Sequence, residues 1–60
     1  MKISKMNPGT LSYHLRHAAK GNNLRSEHSR RLSAALKATA PAAKYRIPND
    51  VMAILANIPN

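Results

Sequence analysis

The chain contains no cysteine, phenylalanine or tryptophan, and its only acidic residues are Glu27 and Asp50. The absence of cysteine excludes disulfides, a thiol nucleophile and a thiolate metal site. Small secreted domains usually depend on disulfides, so the sequence predicts an intracellular protein, located in the cytoplasm or with the nucleoid. No apolar run is long enough to span a membrane, and none follows the basic first residues as it would in a signal peptide.

Large hydrophobic side chains are also scarce. Hydrophobic residues make up 43% of the 60 positions, but ten of them are alanine, which predicts a thin core of marginal stability. Such a core leaves little room for a desolvated pocket, and the two carboxylates fall on different predicted helices. We therefore expect no enzymatic activity and no cofactor.

Basic residues dominate the charge of the chain. Ten Lys and Arg residues give it a net charge of +8 at pH 7. This excess repels itself in the compact state unless an anionic partner binds. The composition therefore predicts a partner that is either a nucleic acid, DNA or RNA, or an acidic protein surface.

Turn signals and apolar spacing predict an all-α fold, a small bundle of three short helices with a flexible basic N-terminal arm. The arm covers residues 1–9 and ends in the breaker sequence Asn7-Pro8-Gly9. Residues 10–60 form a single three-helix mini-domain. Apolar residues at helical spacing place its helices at residues 10–20, 24–39 and 49–58.

The ends of the helices follow from capping residues. The predicted N-caps are Thr10, Asn23 (with Ser26 as the alternative) and Asn49, and the predicted C-terminal signals are Gly21 and Pro41. The connector between the second and third helices contains two prolines, which favour extended geometry. A short strand over residues 44–47 is the alternative for this connector, although the sequence shows no second strand to pair with it.

The third helix is the most hydrophobic segment and contains no basic residue. We expect it to supply most of the core, and Ile54→Ala to unfold the domain. Its stripe of Val51, Leu55 and Ile58 has more apolar surface than the alanine-rich first two helices are expected to bury. This excess raises the hypothesis of a homodimer through helix three.

The candidate binding site consists of basic residues on the first two helices and their connection. Arginine binds phosphate oxygens in a bidentate manner, and serine adds neutral donors. The predicted site residues are Arg16, Lys20, Arg25, Ser26, Arg30, Arg31 and Lys37. A secondary site in the connector comprises Lys44, Tyr45 and Arg46. The alternative is an ordinary solvated face, but such a face is normally interspersed with acidic residues.

Three further patterns give weaker signals. A helix-turn-helix motif is disfavoured because His17 and Glu27 occupy positions that need a small and an apolar residue. Tyr45 offers one stacking surface for a base, or alternatively a packing lid over the core. His14, His17 and His28 lack the further ligands of a zinc shell, so we expect no metal site. His14 and His28 are expected to pack between the first two helices.

Together these features predict a small basic nucleic-acid-binding protein of low sequence specificity, with phosphate contacts from the basic face of helix two. The main alternative is a protein-interaction module, an inhibitor or adaptor of the kind that phages and viruses encode, which docks on an acidic host surface. Binding to a membrane surface ranks third, because the basic second helix lacks aromatic anchors, and no membrane partner is predicted.

Overall fold

The computed structural model describes residues 3–59 and contains three α-helices. They are α1 (Pro8–Lys20), α2 (Glu27–Ala42) and α3 (Asn49–Ala56), preceded by a short 3-10 helix at Ile3–Lys5. The described residues include no strand, so the connector that precedes α3 is irregular. The predicted all-α bundle of three short helices is confirmed.

Helix α1 begins two residues earlier than predicted. The Asn7 side chain accepts a hydrogen bond from the backbone N–H of Thr10 at 2.8 Å, so Asn7 and not Thr10 is the N-cap. Pro8 follows in the first turn, where a proline suits the helix because its missing N–H would have no intrahelical acceptor. The sequence Asn7-Pro8-Gly9, predicted to be a turn, therefore begins the helix.

The left-handed residue that ends α1 is Asn22 and not Gly21. Gly21 has φ −90°, whereas Asn22 has φ +57°. The N–H groups of Asn22 and Asn23 donate to the carbonyls of Ala19 and Ala18 at 3.2 and 2.8 Å, the paired pattern of a Schellman motif. Asparagine tolerates the left-handed region better than most residues, so glycine is not required there.

Helix α2 begins at Ser26, the alternative cap, and not at Asn23. The Ser26 hydroxyl accepts from the N–H of Ser29 at 3.1 Å. Asn23 contributes instead through its carbonyl, which accepts from the Ser29 hydroxyl at 2.6 Å. Pro41 lies inside the last turn, and the chain leaves the helix at Lys44, which has φ +53°. The helix therefore starts and ends about three residues later than predicted.

Helix α3 is shorter than predicted and has no side-chain cap. Pro48 occupies the N-cap position, and Asn49 is the first helical residue. Asp50 lies in the first turn, where the helix dipole favours a negative charge. The helix ends at Ala56, so Ile58 and Pro59 belong to the segment after it.

The core depends on leucines of α1 and α2 more than on α3. The buried hydrophobic residues are Leu11, Leu15, Leu32, Leu36, Ala40, Val51, Leu55 and Ile58. The four leucines of α1 and α2 are completely buried, whereas Ile54 of α3 is only half-buried. The expectation that helix three supplies most of the core is therefore wrong, because the centre of the core is occupied by two pairs of leucines, each pair one helical turn apart.

The stripe expected to pair two copies lies inside a single chain. Val51, Leu55 and Ile58 are between 0% and 8% exposed and belong to the same cluster as the leucines. They cannot join two copies while the fold is intact. The physical reason for a homodimer through helix three is thereby removed.

The N-terminal residues described by the structure also differ from the predicted flexible arm. Ile3 and Met6 pack against the core cluster, and the Met6 N–H donates to the Ile3 carbonyl at 3.1 Å. Pro8 and Gly9 are already part of α1. Residues 1 and 2 of the predicted arm lie outside the described residues.

Candidate functional site

The predicted site residues fall into separate places on the fold, and two of them form ion pairs. Arg16 on α1 donates from Nε to Asp50 Oδ2 at 2.7 Å and from Nη2 to Oδ1 at 3.3 Å. This bidentate pair joins α1 to the first turn of α3 and lowers the pKa of Asp50, mainly through the hydrogen bond from Arg16. Arg16 therefore connects two helices and is engaged by a carboxylate.

Arg31 lies on a different face of α2 from Arg30. Consecutive helical residues point about 100° apart around the axis. Arg31 approaches Glu27 one turn earlier, with Nη2 3.5 Å from Oε1, and both side chains are largely exposed. Because Glu27 and Asp50 are the only acidic residues in the sequence, these two pairs engage both carboxylate side chains of the chain.

Four other basic residues line three hollows that share lining residues, and we call these hollows together the basic groove. The four residues are Arg25, Arg30, Lys37 and Arg46. One wall is the flank of α2, and the other consists of segment 56–59 and of the connector leading into α3. All four side chains are exposed, and neither acidic side chain of the sequence pairs with them. The groove is therefore strongly electropositive.

The basic groove consists of three successive hollows separated by cations. The first, about 420 Å³, is lined by Arg25, Arg30 and residues 56–59. The second, about 360 Å³, lies between Arg30 and Lys37 and is the most enclosed and most apolar of the three. The third, about 520 Å³, extends from Lys37 to Arg46. Neighbouring hollows share a basic residue, so cations and hollows alternate along the groove.

The serines of this region have mainly structural roles. Ser26 caps α2. Ser29 is completely buried, and its hydroxyl donates a hydrogen bond to the Asn23 carbonyl. Ser33 is 4% exposed and lines the second hollow. Ser26 is therefore placed at the helix end and not among the cations of the basic groove.

The secondary site is divided between packing and the groove. The Ser12 hydroxyl donates to the Pro8 carbonyl at 2.9 Å, so the Tyr45 hydroxyl, 3.1 Å away, is the donor to Ser12. The Tyr45 ring packs against the core, the arrangement of the packing lid. Arg46 joins the basic groove, whereas Lys44 is exposed in the turn after α2 and lines none of the three hollows.

The histidines and Lys20 lie away from the basic groove. His17 and His28 are exposed and His14 is half-buried, so His28 does not pack between helices as expected. The Tyr13 and His17 rings are in contact, with centroids 4.3 Å apart, and Lys20 is exposed at the end of the same helix. Within residues 3–59, no group of three His, Cys, Asp or Glu side chains is placed to hold a metal ion.

Two further findings bear on the class of protein. Among the helices described, none combines the length and the apolar character that crossing a bilayer requires. Comparison with known protein families, with curated proteins and with solved structures finds no match to this chain.

The Arg16–Asp50 pair predicts a specific acid sensitivity. Because the pKa of Asp50 is lowered in the folded state, the unfolded chain takes up the proton first as the pH falls. The pair thus contributes stability at neutral pH, and this stability is lost from about pH 4 downwards, where an ordinary aspartate protonates. The melting temperature of Asp50→Asn should decrease less steeply with falling pH than that of the wild type below this pH. Parallel plots of melting temperature against pH for the two proteins would contradict the prediction.

Proposed function

We propose that this chain is a small nucleic-acid-binding protein of low sequence specificity, and that the basic groove contacts the phosphates. One observation supports the proposal above the others. Four cations line the adjoining hollows of the basic groove, while both acidic side chains of the sequence are engaged elsewhere. A polyanion supplies negative charge at every step of its backbone and so matches such a row.

The proposed contacts explain the expected lack of sequence specificity. Phosphate contacts position a protein on a nucleic acid but do not read its bases. Arg30 and Lys37 lie on the flank of α2 that shares hollows with segment 56–59, so α2 does not project from this face as a recognition helix does. The protein then acts by binding and not by catalysis, in the cytoplasm or on the nucleoid.

The salt dependence of binding tests this proposal. Four phosphate contacts on a duplex should give a slope of log affinity against log salt of about −3.6, since each contact contributes ~0.9. The same contacts on a single strand should give about −2.8, at ~0.7 each. Fluorescence anisotropy with labelled oligonucleotides of both forms, at several salt concentrations, measures the two slopes.

The acidic-protein alternative predicts a different result. Nucleic-acid binding would then be weaker than about 10⁻⁴ M at physiological salt for both forms, below ordinary non-specific binding. A pull-down from lysate would then retain one defined acidic protein after nuclease treatment. Either result would overturn the proposed function.

A further inference from the structure

We infer that the nucleic acid held in the basic groove is single-stranded, with its phosphates on the cations and its bases in the hollows between them. This inference rests on the proposed function and specifies its ligand. The observation behind it is the alternation itself. From one end of the groove to the other the order is Arg25, hollow, Arg30, hollow, Lys37, hollow, Arg46.

The chemistry of the second and third hollows favours bases over phosphates, whereas the first hollow is more polar. The second hollow has a mainly apolar lining to which Ala34 and Ile58 contribute, and the third includes Ile47 and Met52. Met52 is 54% exposed and adds apolar surface that a ligand in the third hollow can contact. Apolar walls between cations suit the flat, weakly polar faces of nucleobases, whereas a phosphate would lose hydration there without a partner.

A duplex cannot use the hollows in this way. Its bases are stacked inside the helix, and only their edges are accessible, through the grooves. A single strand exposes both the bases and the backbone, and proteins that bind it combine an electropositive groove with surfaces for the bases. Arg30 and Lys37 are seven residues apart, or about 10 Å along α2, which leaves space for a base between two phosphate contacts.

An acidic peptide fits the groove less well. It would need a carboxylate opposite each cation and an apolar side chain opposite each hollow, in one fixed order. A nucleic-acid strand meets the same requirement with any sequence, because every nucleotide carries a phosphate and a base. The arrangement therefore selects the strand by its backbone chemistry and not by a particular sequence.

Removal of the bases tests the inference directly. The first probe is a twelve-nucleotide oligothymidine, and the second is the same backbone with abasic sites throughout. We expect the abasic strand to bind at least about 100-fold more weakly at equal salt, because three hollows stay empty and each base contributes about 1 kcal/mol or more. Equal affinity for the two strands would overturn the inference while leaving phosphate binding, and thus the proposed function, intact. Absence of binding to either strand and to a duplex would overturn both.

Filling the second hollow provides an independent test. Ala34→Phe places a ring in it without changing charge, whereas Ala38→Phe puts the same ring one turn further along α2, where it lines none of the three hollows. We expect Ala34→Phe alone to weaken oligothymidine binding about tenfold and to leave the abasic strand unaffected. Circular dichroism of both variants checks that each keeps the helical content of the wild type. Equal effects of the two variants, or polyglutamate binding as tight as oligothymidine binding, would overturn the inference.

Discussion

Leu36→Ala is expected to leave the chain largely unfolded at room temperature. Leu36 is completely buried at the centre of α2, in a cluster with leucines of α1 and with Val51. Removing a leucine side chain from such a position costs about 2–5 kcal/mol. A domain of this size has a total stability of roughly 3–9 kcal/mol, from about 0.05–0.15 kcal/mol per residue, so the loss consumes most of it.

Far-UV circular dichroism and thermal melting measure the effect, and two variants calibrate it. Met52→Ala removes an exposed side chain and should melt close to wild type. Ile54→Ala removes a half-buried one and should fall between the two, although the sequence alone singled out Ile54 as the critical residue. A fully folded Leu36→Ala protein, or a larger drop in melting temperature for Ile54→Ala than for Leu36→Ala, would show that α3 and not the leucine pairs stabilises the fold.

The leucine pairs show how far sequence reasoning reached. Leu11 with Leu15 and Leu32 with Leu36 are spaced one turn apart, and this spacing predicts two helices that bury one face each. All four are buried as that pattern requires. The prediction that helix three supplies most of the core is wrong because the hydrophobicity of a whole segment does not determine which of its side chains are buried at the centre. Ile54, in the most apolar segment, lies at the edge of the core.

The helix ends depended on competition between neighbouring caps. Asn7 and Thr10 can each cap α1, and Asn23 and Ser26 can each cap α2. The backbone N–H of Asn23 belongs to the Schellman turn that ends α1, so this residue lies too early to cap α2. Ser26 is the next capping residue along the chain, and it caps α2. Such a choice depends on how the preceding helix ends, and a single segment does not contain that information.

The candidate site was predicted in composition but not in arrangement. Arg30 and Lys37, seven residues apart, share a helix face by periodicity alone, and the same periodicity places Arg31 on the flank of that face. The pairing of Arg16 with Asp50 joins residues 34 positions apart and follows from how α1 meets α3. Arg25 and Arg46 lie outside the helices, so their place in the basic groove depends on the two turns that flank α2.

Charge reversal at two adjacent arginines should separate the basic groove from the rest of the positive surface. Arg30→Glu and Arg31→Glu change the net charge equally, but Arg30 lines the groove and Arg31 faces Glu27 on another side of α2. Each lost phosphate contact weakens duplex binding roughly eightfold at 0.1 M salt. Reversal at Arg30 also adds a repulsion of similar size, so it should weaken binding by about 60-fold. Reversal at Arg31 acts only through screened long-range repulsion, with a Debye length of about 10 Å, and should cost less than about threefold.

The salt dependence of the two variants makes the comparison decisive. Arg30→Glu should lower the magnitude of the slope by at least about one unit relative to wild type, because a released counterion is lost with the contact. Arg31→Glu should keep the wild-type slope. The reduction should be the same on unrelated sequences, since a phosphate contact does not distinguish bases. If both variants weaken binding equally and change the salt slope equally, the cations act as a diffuse surface charge, and the basic groove is not the binding site.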